Sequence, residues 1–394
     1  MRTYDWIIVG AGITGAALAY ELVKQNFSVL LLEQDKISNN ATCYSYGGLA
    51  FWSGTTPLTR QLCQEGIARH RILSTELDAD TEFRELDLLL TIPQDSDRQA
   101  VVSNYNRFAT PPQLLTVTEA CELEPLLNRE AISGALTIKH GHIHPAKTAQ
   151  AYIQAFLRHG GTMEIGRVQQ LQSISSPNDD LPTCTGVKTT SETYHSSNVV
   201  ICAGGYSRQL LKASGIKIKL YFTHAEMIAT LPVDLKLHTL VMPAQLKRFQ
   251  LEANSTKSDR PWEEPGNQPA PPILDPGVVQ FLDGSLRWGQ ISRTLTDPFA
   301  EVDPNTSETA LRQSIGEVIP AIKNIPGTWH HCLVAFSQDS LPLIGEIPAW
   351  QGLHVFSGFS NPLVIVPPLA QKFANFITGK DDQAIAQFQP SRFL

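Results

Sequence analysis

The sequence predicts an α/β fold: a Rossmann-like parallel-sheet domain with a second, α+β domain, built on an antiparallel sheet, inserted into it in pieces. Three observations predict it. Two short apolar runs bracket a helix-forming stretch within the first 33 residues, and a glycine-rich turn joins the first run to that helix. Later segments with strand-like alternation then interrupt the parallel-sheet pattern.

Residues 4–10 (YDWIIVG) are apolar, rich in β-branched side chains and closed by glycine, as in a strand buried on both faces. Residues 14–25 (TGAALAYELVKQ) have helix-forming composition without proline, and residues 28–33 (SVLLLE) are a second apolar run of strand length. Strand, helix and strand in this order make a βαβ unit. Residues 147–159 (KTAQAYIQAFLRH) have helical periodicity and stop at Gly160 and Gly161, while residues 198–205 (NVVICAGG) read as another buried strand running into glycines. Of different character, residues 81–125 read as polar and irregular, and residues 217–230 and 277–293 alternate like half-exposed antiparallel strands. Residues 254–276 hold six prolines and several charges, which predicts a long surface loop. Segments 1–80, 140–216 and 330–394 are assigned to the parallel-sheet domain, and 81–139 and 217–329 to the inserted one.

With 394 residues, 42% hydrophobic and 18% charged, the chain can bury one large core or two that share an interface. A net charge of -7 leaves no basic field for a phosphate backbone, which excludes nucleic acid as an expected partner. The six cysteines, Cys43, Cys63, Cys121, Cys184, Cys202 and Cys332, are scattered without a C-x-x-C pair or metal-ligand spacing. A reducing compartment and no metal are expected. His330 and His331 adjoin Cys332, but neighbours on a strand point to opposite faces. No uncharged stretch reaches the roughly eighteen residues of a membrane helix, and the first strand pattern starts within four residues of Met1, so a cytoplasmic location is expected.

Gly10-Ala11-Gly12-Ile13-Thr14-Gly15 fits G-x-G-x-x-G. In such a turn the first glycine makes the bend, the second lets backbone approach a pyrophosphate, and the third lets the helix pack closely on the sheet. The helix N-terminus then offers N–H groups and a partial positive charge to phosphate. Glu33 lies eighteen residues beyond Gly15, at the end of the next strand, where a carboxylate accepts hydrogen bonds from ribose hydroxyls. Strand, turn, helix and acid together predict a dinucleotide site and leave FAD and NAD unseparated.

Six later stretches separate them by resemblance. Residues 41–50 (ATCYSYGGLA), 141–145 (GHIHP), 166–168 (GRV), 199–207 (VVICAGGYS), 339–345 (DSLPLIG) and 358–368 (GFSNPLVIVPP) follow one another as the motifs do in the D-amino-acid oxidase, glycine oxidase and sarcosine oxidase superfamily of flavoproteins, which the chain resembles over most of its length. The resemblance implies FAD as cofactor. It implies that Gly10, Gly12, Ile13, Thr14, Gly15, Glu33 and Gln34 surround the nucleotide and that Val168 touches adenine. Thr42, Ser45, Tyr46, Gly47, Gly48 and Leu49 would pass beside the pyrophosphate and under the ring, with Ala203, Gly204 and Gly205 ending the strand beside them. Gly358, Phe359, Ser360, Asn361, Pro362, Leu363 and Val364 would form the last flavin-contacting loop and helix. It further implies hydride transfer from an amine-bearing carbon to the flavin, hydrolysis of the resulting imine, and reduction of oxygen to peroxide.

The same resemblance marks departures. The arginine that grips a substrate carboxylate in glycine and D-amino-acid oxidases stands five residues before the family aspartate, and that position is Val334. The histidine of the last loop is replaced by Phe359, and a glycine there by Leu363. Cys332 falls where the sarcosine oxidase branch attaches flavin covalently; by composition alone it reads as a small buried hydrophobe. Arg287 falls where that branch has a lysine that assists oxygen reduction, and its alternative reading is an exposed strand arginine. Tyr46 and His224 complete the catalytic candidates, the first within the flavin-passing segment, the second as a group able to titrate near neutrality or as a domain-interface histidine. Three functions follow: an oxidase of a small amine or amino-acid derivative, a dehydrogenase of a hydroxy acid or amine using another acceptor, and a flavin-holding accessory protein without turnover. The substrate expected is a small molecule, and oligomeric state stays open.

Overall fold

The computed structural model describes residues 3–175, 181–380 and 383–394. Residues 1–2, 176–180 and 381–382, all within segments assigned to the first domain, lie outside the described residues.

The apolar run near the N-terminus forms the strand Thr3–Val9, and Ile7 and Ile8 are fully buried because the strand is covered on both faces. It pairs in parallel with Val29–Glu33 on one side and Thr193–Ile201 on the other. Thr162–Ile165 and Leu353–Ser357 extend the sheet outward, also in parallel, and Leu343–Glu346 closes the edge beside Leu353–Ser357 in the antiparallel sense. Helix Ile13–Val23 is buried almost all round. Its face of small residues packs against Pro145–Arg158 and Pro362–Ile377. Helix Pro57–Glu76 starts at a capping box, in which Thr56 and Thr59 satisfy each other's backbone N–H groups, with Pro57 already at its first position.

Helix Pro362–Ile377 carries Pro367 and Pro368 in its interior. A proline donates no N–H to the carbonyl four residues back, which would leave Leu363 O and Val364 O without their helical partners. His70 Nε2 donates to Leu363 O at 2.6 Å, and Gly66 fits under Val364, where a Cβ would stand 2.1 Å from the Val364 carbonyl oxygen. Two helices thus interlock through a defect in one of them.

The second sheet has nine strands, in the order Thr328–Ser337, Leu220–Ala229, Leu286–Arg293, Ile273–Gln280, Leu240–Pro243, Arg84–Pro93, Ile132–His142 and Gly48–Leu49, with Gln113–Leu115 beside Ile132–His142. Only the pair Leu240–Pro243 and Arg84–Pro93 is parallel. Helix Pro304–Val318 lies on this sheet through Leu311 and Ile315. Strands Ile132–His142 and Thr328–Ser337 run across the expected boundaries at 139/140 and 329/330.

Three local expectations are corrected. Residues 81–125 hold a ten-residue strand, Arg84–Pro93, in the middle of the second sheet; the charges of Arg84, Glu85 and Asp87 mask the apolar run that follows them. Strand Leu220–Ala229 is buried along nearly its whole length rather than half-exposed, because it has hydrogen-bonded neighbours on both edges and packing on both faces. Residues 254–276 are not simply a surface loop: the segment includes the turn of helix Arg260–Glu263, and Trp262 is buried against Tyr221, Phe222 and Phe336.

Candidate active site

The glycine turn sits at the end of Thr3–Val9 as the sequence requires. Gly10 has φ +103°, and a Cβ there would stand 2.7 Å from Cys202 O; at Gly15 it would stand 1.8 Å from Gly10 O. At Gly12 the neighbour within reach is Thr42 Oγ1, 3.2 Å from where a Cβ would lie, so that backbone is open to a ligand. The helix that follows has no side-chain cap from Gly12, and Thr42 Oγ1 instead accepts from Ile13 N at 3.0 Å. Glu33 is buried, and its carboxylate accepts from the backbone N–H groups of Ala11 (2.8 Å), Gln34 (2.9 Å) and Asp35 (3.3 Å). It therefore ties the phosphate turn to the end of the second strand.

From this turn a cavity of about 840 Å³ runs to the second sheet. Gly10, Gly12, Ile13, Thr14, Glu33 and Gln34 line its first part, with Val168 and with Ala203, Gly204 and Gly205 beside them. Thr42, Ser45, Tyr46 and Gly48 line the middle, facing Cys332 and the loop that carries Gly358, Phe359, Ser360, Asn361, Pro362 and Leu363. Asn361 Nδ2 donates to Ala50 O at 3.2 Å, which fastens that loop to the segment opposite. The far end is closed by Leu88, Leu240 and Met242 of the second sheet. Tyr46 is partly buried, its hydroxyl is shielded from solvent without a hydrogen-bond partner among the described residues, and desolvation raises its pKa well above the ordinary phenol value. Burial likewise pushes the Cys332 thiol up to about 12.

Some expected residues support the cavity from behind. Gly15 packs the helix on the turn, and Gly47, at φ +78°, passes under Ile143 O, where a Cβ would stand 2.1 Å away. Leu49 and Val364 belong to the apolar core.

Two of the three catalytic candidates are not brought to the cavity wall. Arg287 Nη1 donates to Ser45 O at 2.5 Å, and its guanidinium lies 4.5 Å from the Phe281 ring centre. It props the Ser45–Tyr46 backbone from outside. His224 is turned away because neighbouring strand residues alternate: Ala225 and Met227 face the cavity, so His224 and Glu226 face the other side. There Arg293 Nε meets Glu226 Oε1 at 2.7 Å, Trp329 Nε1 donates to Glu226 Oε2 at 3.3 Å, and His331 stacks on His224 with ring centres 4.5 Å apart. Burial, with the charges of His331 and Arg293, pulls His224 down to about 4, so it is neutral at pH 7. His331 itself reaches the cavity, which leaves His224 one ring removed from it.

Sequence reading passed over Arg248, Gln290 and His140 and weighed His331 only as a metal ligand; all four line the cavity. They come from separate elements and share no motif. Only the fold brings them together.

Among the described residues no group of three or more His, Cys, Asp or Glu is placed to hold a metal ion, and no helix is long and apolar enough to cross a membrane.

The family described as FAD dependent oxidoreductase matches residues 5–375. The chain belongs to that family. It is similar to the glycine oxidase of Geobacillus kaustophilus, at 25% identity over 385 residues, covering 93% of this chain and 90% of that protein. It is also similar to human peroxisomal sarcosine oxidase, at 27% identity over 420 residues, covering 99% and 96%. In three dimensions it matches the crystal structure of Geobacillus kaustophilus glycine oxidase with a TM-score of 0.79 at 21% identity over the whole of both chains. The L-proline dehydrogenase of P. horikoshii matches with a TM-score of 0.75 at 20% identity, over 100% and 98% of the two chains. This member of the family is thus an FAD-dependent oxidoreductase, and the turn and cavity fit its cofactor: an open glycine backbone at a helix N-terminus, and an elongated space behind it.

Proposed function

We propose that this FAD-dependent oxidoreductase oxidises a small amine or amino-acid derivative and returns its electrons to molecular oxygen, giving hydrogen peroxide. The observation that carries the proposal is the single cavity that runs from the phosphate turn to an apolar end on the second sheet, because it leaves room for a small substrate beyond the cofactor. Gly10, Gly12, Ile13 and Thr14 would hold the pyrophosphate, Glu33 the ribose and Val168 the adenine. Ser45, Tyr46 and the loop from Gly358 to Leu363 would flank the ring. Bound FAD supplies the acceptor for a hydride from the carbon that bears the amine. The chain's own part is to exclude water with Leu88, Leu240 and Met242 and to fix the ring-flanking backbone through Arg287 and Asn361. No residue of the cavity is assigned as a base: the Tyr46 phenol stays protonated at neutral pH.

The reconstituted holoenzyme, titrated anaerobically with a panel of amines, amino acids and hydroxy acids, should lose its visible flavin absorbance with an amine or N-substituted amino acid. On readmission of air the colour should return and peroxide should appear in equal amount to the substrate consumed. Bleaching by hydroxy acids alone would reject the amine reading.

A second reading, a dehydrogenase that passes electrons to another acceptor, is favoured by one observation. The cation expected to assist oxygen reduction, Arg287, is bound to Ser45 O and Phe281 outside the cavity wall. Slow recovery of colour in air would select it.

A further inference from the structure

The arginine that resemblance would supply for a substrate carboxylate is missing at Val334, yet Val334 is part of the cavity wall. Two other cations line the cavity among the described residues, Arg167 and Arg248. Arg167 stands beside Val168 at the nucleotide end, with its guanidinium 5.2 Å from the Phe299 ring centre. Arg248 enters at the opposite end, on helix Lys247–Ser255, which no motif in the sequence announces.

Arg248 is held at that end by two contacts. Its Nη2 donates to Ser360 O at 3.5 Å, on the loop opposite, and its Nε lies 3.3 Å from Glu252 Oε1, one helical turn on. The Glu252 side chain is 5% exposed while that of Arg248 is 28% exposed, so the helix buries the acid and presents the base. A guanidinium carries five N–H donors in a planar fork, and these two contacts leave most of the fork for a further acceptor. The Arg248 charge lowers the pKa of both the Cys332 thiol and the Asp275 carboxyl against burial, so it stands within reach of two strands of the second sheet, Thr328–Ser337 and Ile273–Gln280. The surrounding wall is apolar at Leu240 and Met242, and in such surroundings an unpaired substrate carboxylate is costly and a paired one is strongly held.

We propose that Arg248 binds the substrate's carboxylate, replacing from helix Lys247–Ser255 the anchor lost at Val334, with Glu252 as the positioning residue that aims it. The substrate class is then narrowed from amines in general to amines that carry a carboxylate, that is, amino acids or their N-substituted derivatives. This rests on the amine-oxidising reading above. Its test is separable, since it reads ligand binding to the flavin-loaded protein and needs no turnover.

The probes are benzoate and its neutral counterpart benzamide, titrated into FAD-loaded protein and followed by the perturbation of the visible flavin spectrum. In the wild type benzoate should bind more tightly than benzamide by roughly 10- to 100-fold, the range for hydrogen bonds to a charged group. Arg248→Met should remove that preference, and Arg248→Lys, which keeps the charge but not the fork, should retain part of it. Equal binding of the two probes by the wild type would overturn the proposal without any variant. So would an Arg248→Met protein that holds FAD and still prefers benzoate to the wild-type extent. If amines fail to bleach the flavin while benzoate binding still depends on Arg248, the amine reading falls and the anion site stands.

Discussion

At Cys332, position and chemistry point in different directions. The residue lies on the cavity wall, where resemblance to the sarcosine oxidase branch would attach flavin covalently, but its thiol is buried and pushed up to about 12. The thiolate is the nucleophile, and at pH 7 this site holds almost none of it. The expected outcome is therefore non-covalent FAD: trichloroacetic acid should release all the yellow colour into the supernatant, and Cys332→Ser should load flavin as the wild type does. Colour retained on the pellet would show that a bond has formed. Position and burial were both legible in the sequence here, whereas for His224 and Arg287 position was legible and the face presented to the cavity was not. Spacing places both on strands near the flavin segment, but which face of a strand meets a cavity depends on register and neighbours. A one-residue difference turns Ala225 and Met227 inward and His224 outward. Gly10, Gly12 and Glu33 were legible because the constraint is local. A backbone with φ +103° and a Cβ distance of 2.7 Å to Cys202 O admits glycine and little else, wherever the rest of the chain goes.

Among the elements, those whose burial is set by their own composition were the readable ones. Thr3–Val9, Ile13–Val23, Val29–Glu33 and Pro145–Arg158 agree with the sequence pattern to within two residues, whereas Arg84–Pro93 and the 254–276 segment did not announce themselves. In the second case proline-rich composition conceals a tertiary anchor. Trp262 is 3% exposed, packs tilted against Tyr221 and edge-on against Phe222, and donates from Nε1 to Ser255 O at 2.8 Å. Asp259, whose carboxylate is kept below its ordinary pKa by Lys219 and Tyr221 despite burial, fastens the same turn a few residues earlier. A segment so held is not a lid that opens freely. Trp262→Ala should lower the stability of the protein by about 3–5 kcal/mol, the usual range for emptying a buried tryptophan site. It should also expose residues near 256–272 to limited proteolysis at temperatures where the wild type resists. Rapid cleavage of the wild type in this segment would contradict the anchor. Because helix Lys247–Ser255 leads directly into this turn, the anchor also fixes the helix that carries Arg248.

Across the whole molecule the buried histidines set how the fold responds to acid. Burial pulls His70, His224 and His354 down to about 4 and His140 and His142 to about 3, from an ordinary 6.5. His354 lies in the parallel sheet and His70 on helix Pro57–Glu76, packed on helix Pro362–Ile377, while His140, His142 and His224 lie in the second sheet, so both domains carry the sensitivity. Between pH 6.5 and 4 the unfolded chain takes up protons at these sites and the folded chain does not. Stability from this source is therefore complete above pH 6.5 and is lost as the pH falls, by roughly 1.4 kcal/mol per pH unit for each net proton. Buried carboxyls work in the opposite direction. Glu21 and Glu252 are raised by burial and Asp275 is raised to about 6, so they bind protons in the folded state first and gain stability on acidification. Five histidines outnumber three carboxyls, and the sign of the sum is loss. The thermal midpoint should accordingly fall steeply from pH 6.5 to 4.5 and change little from pH 7 to 8. His354→Phe keeps an aromatic ring against Trp6 and Phe373 while removing the titrating nitrogen, so it should flatten the slope by one proton's worth. A midpoint that stays level down to pH 4.5 would show that the buried carboxyls offset the histidines, and one that rises would show that the carboxyls govern the acid response.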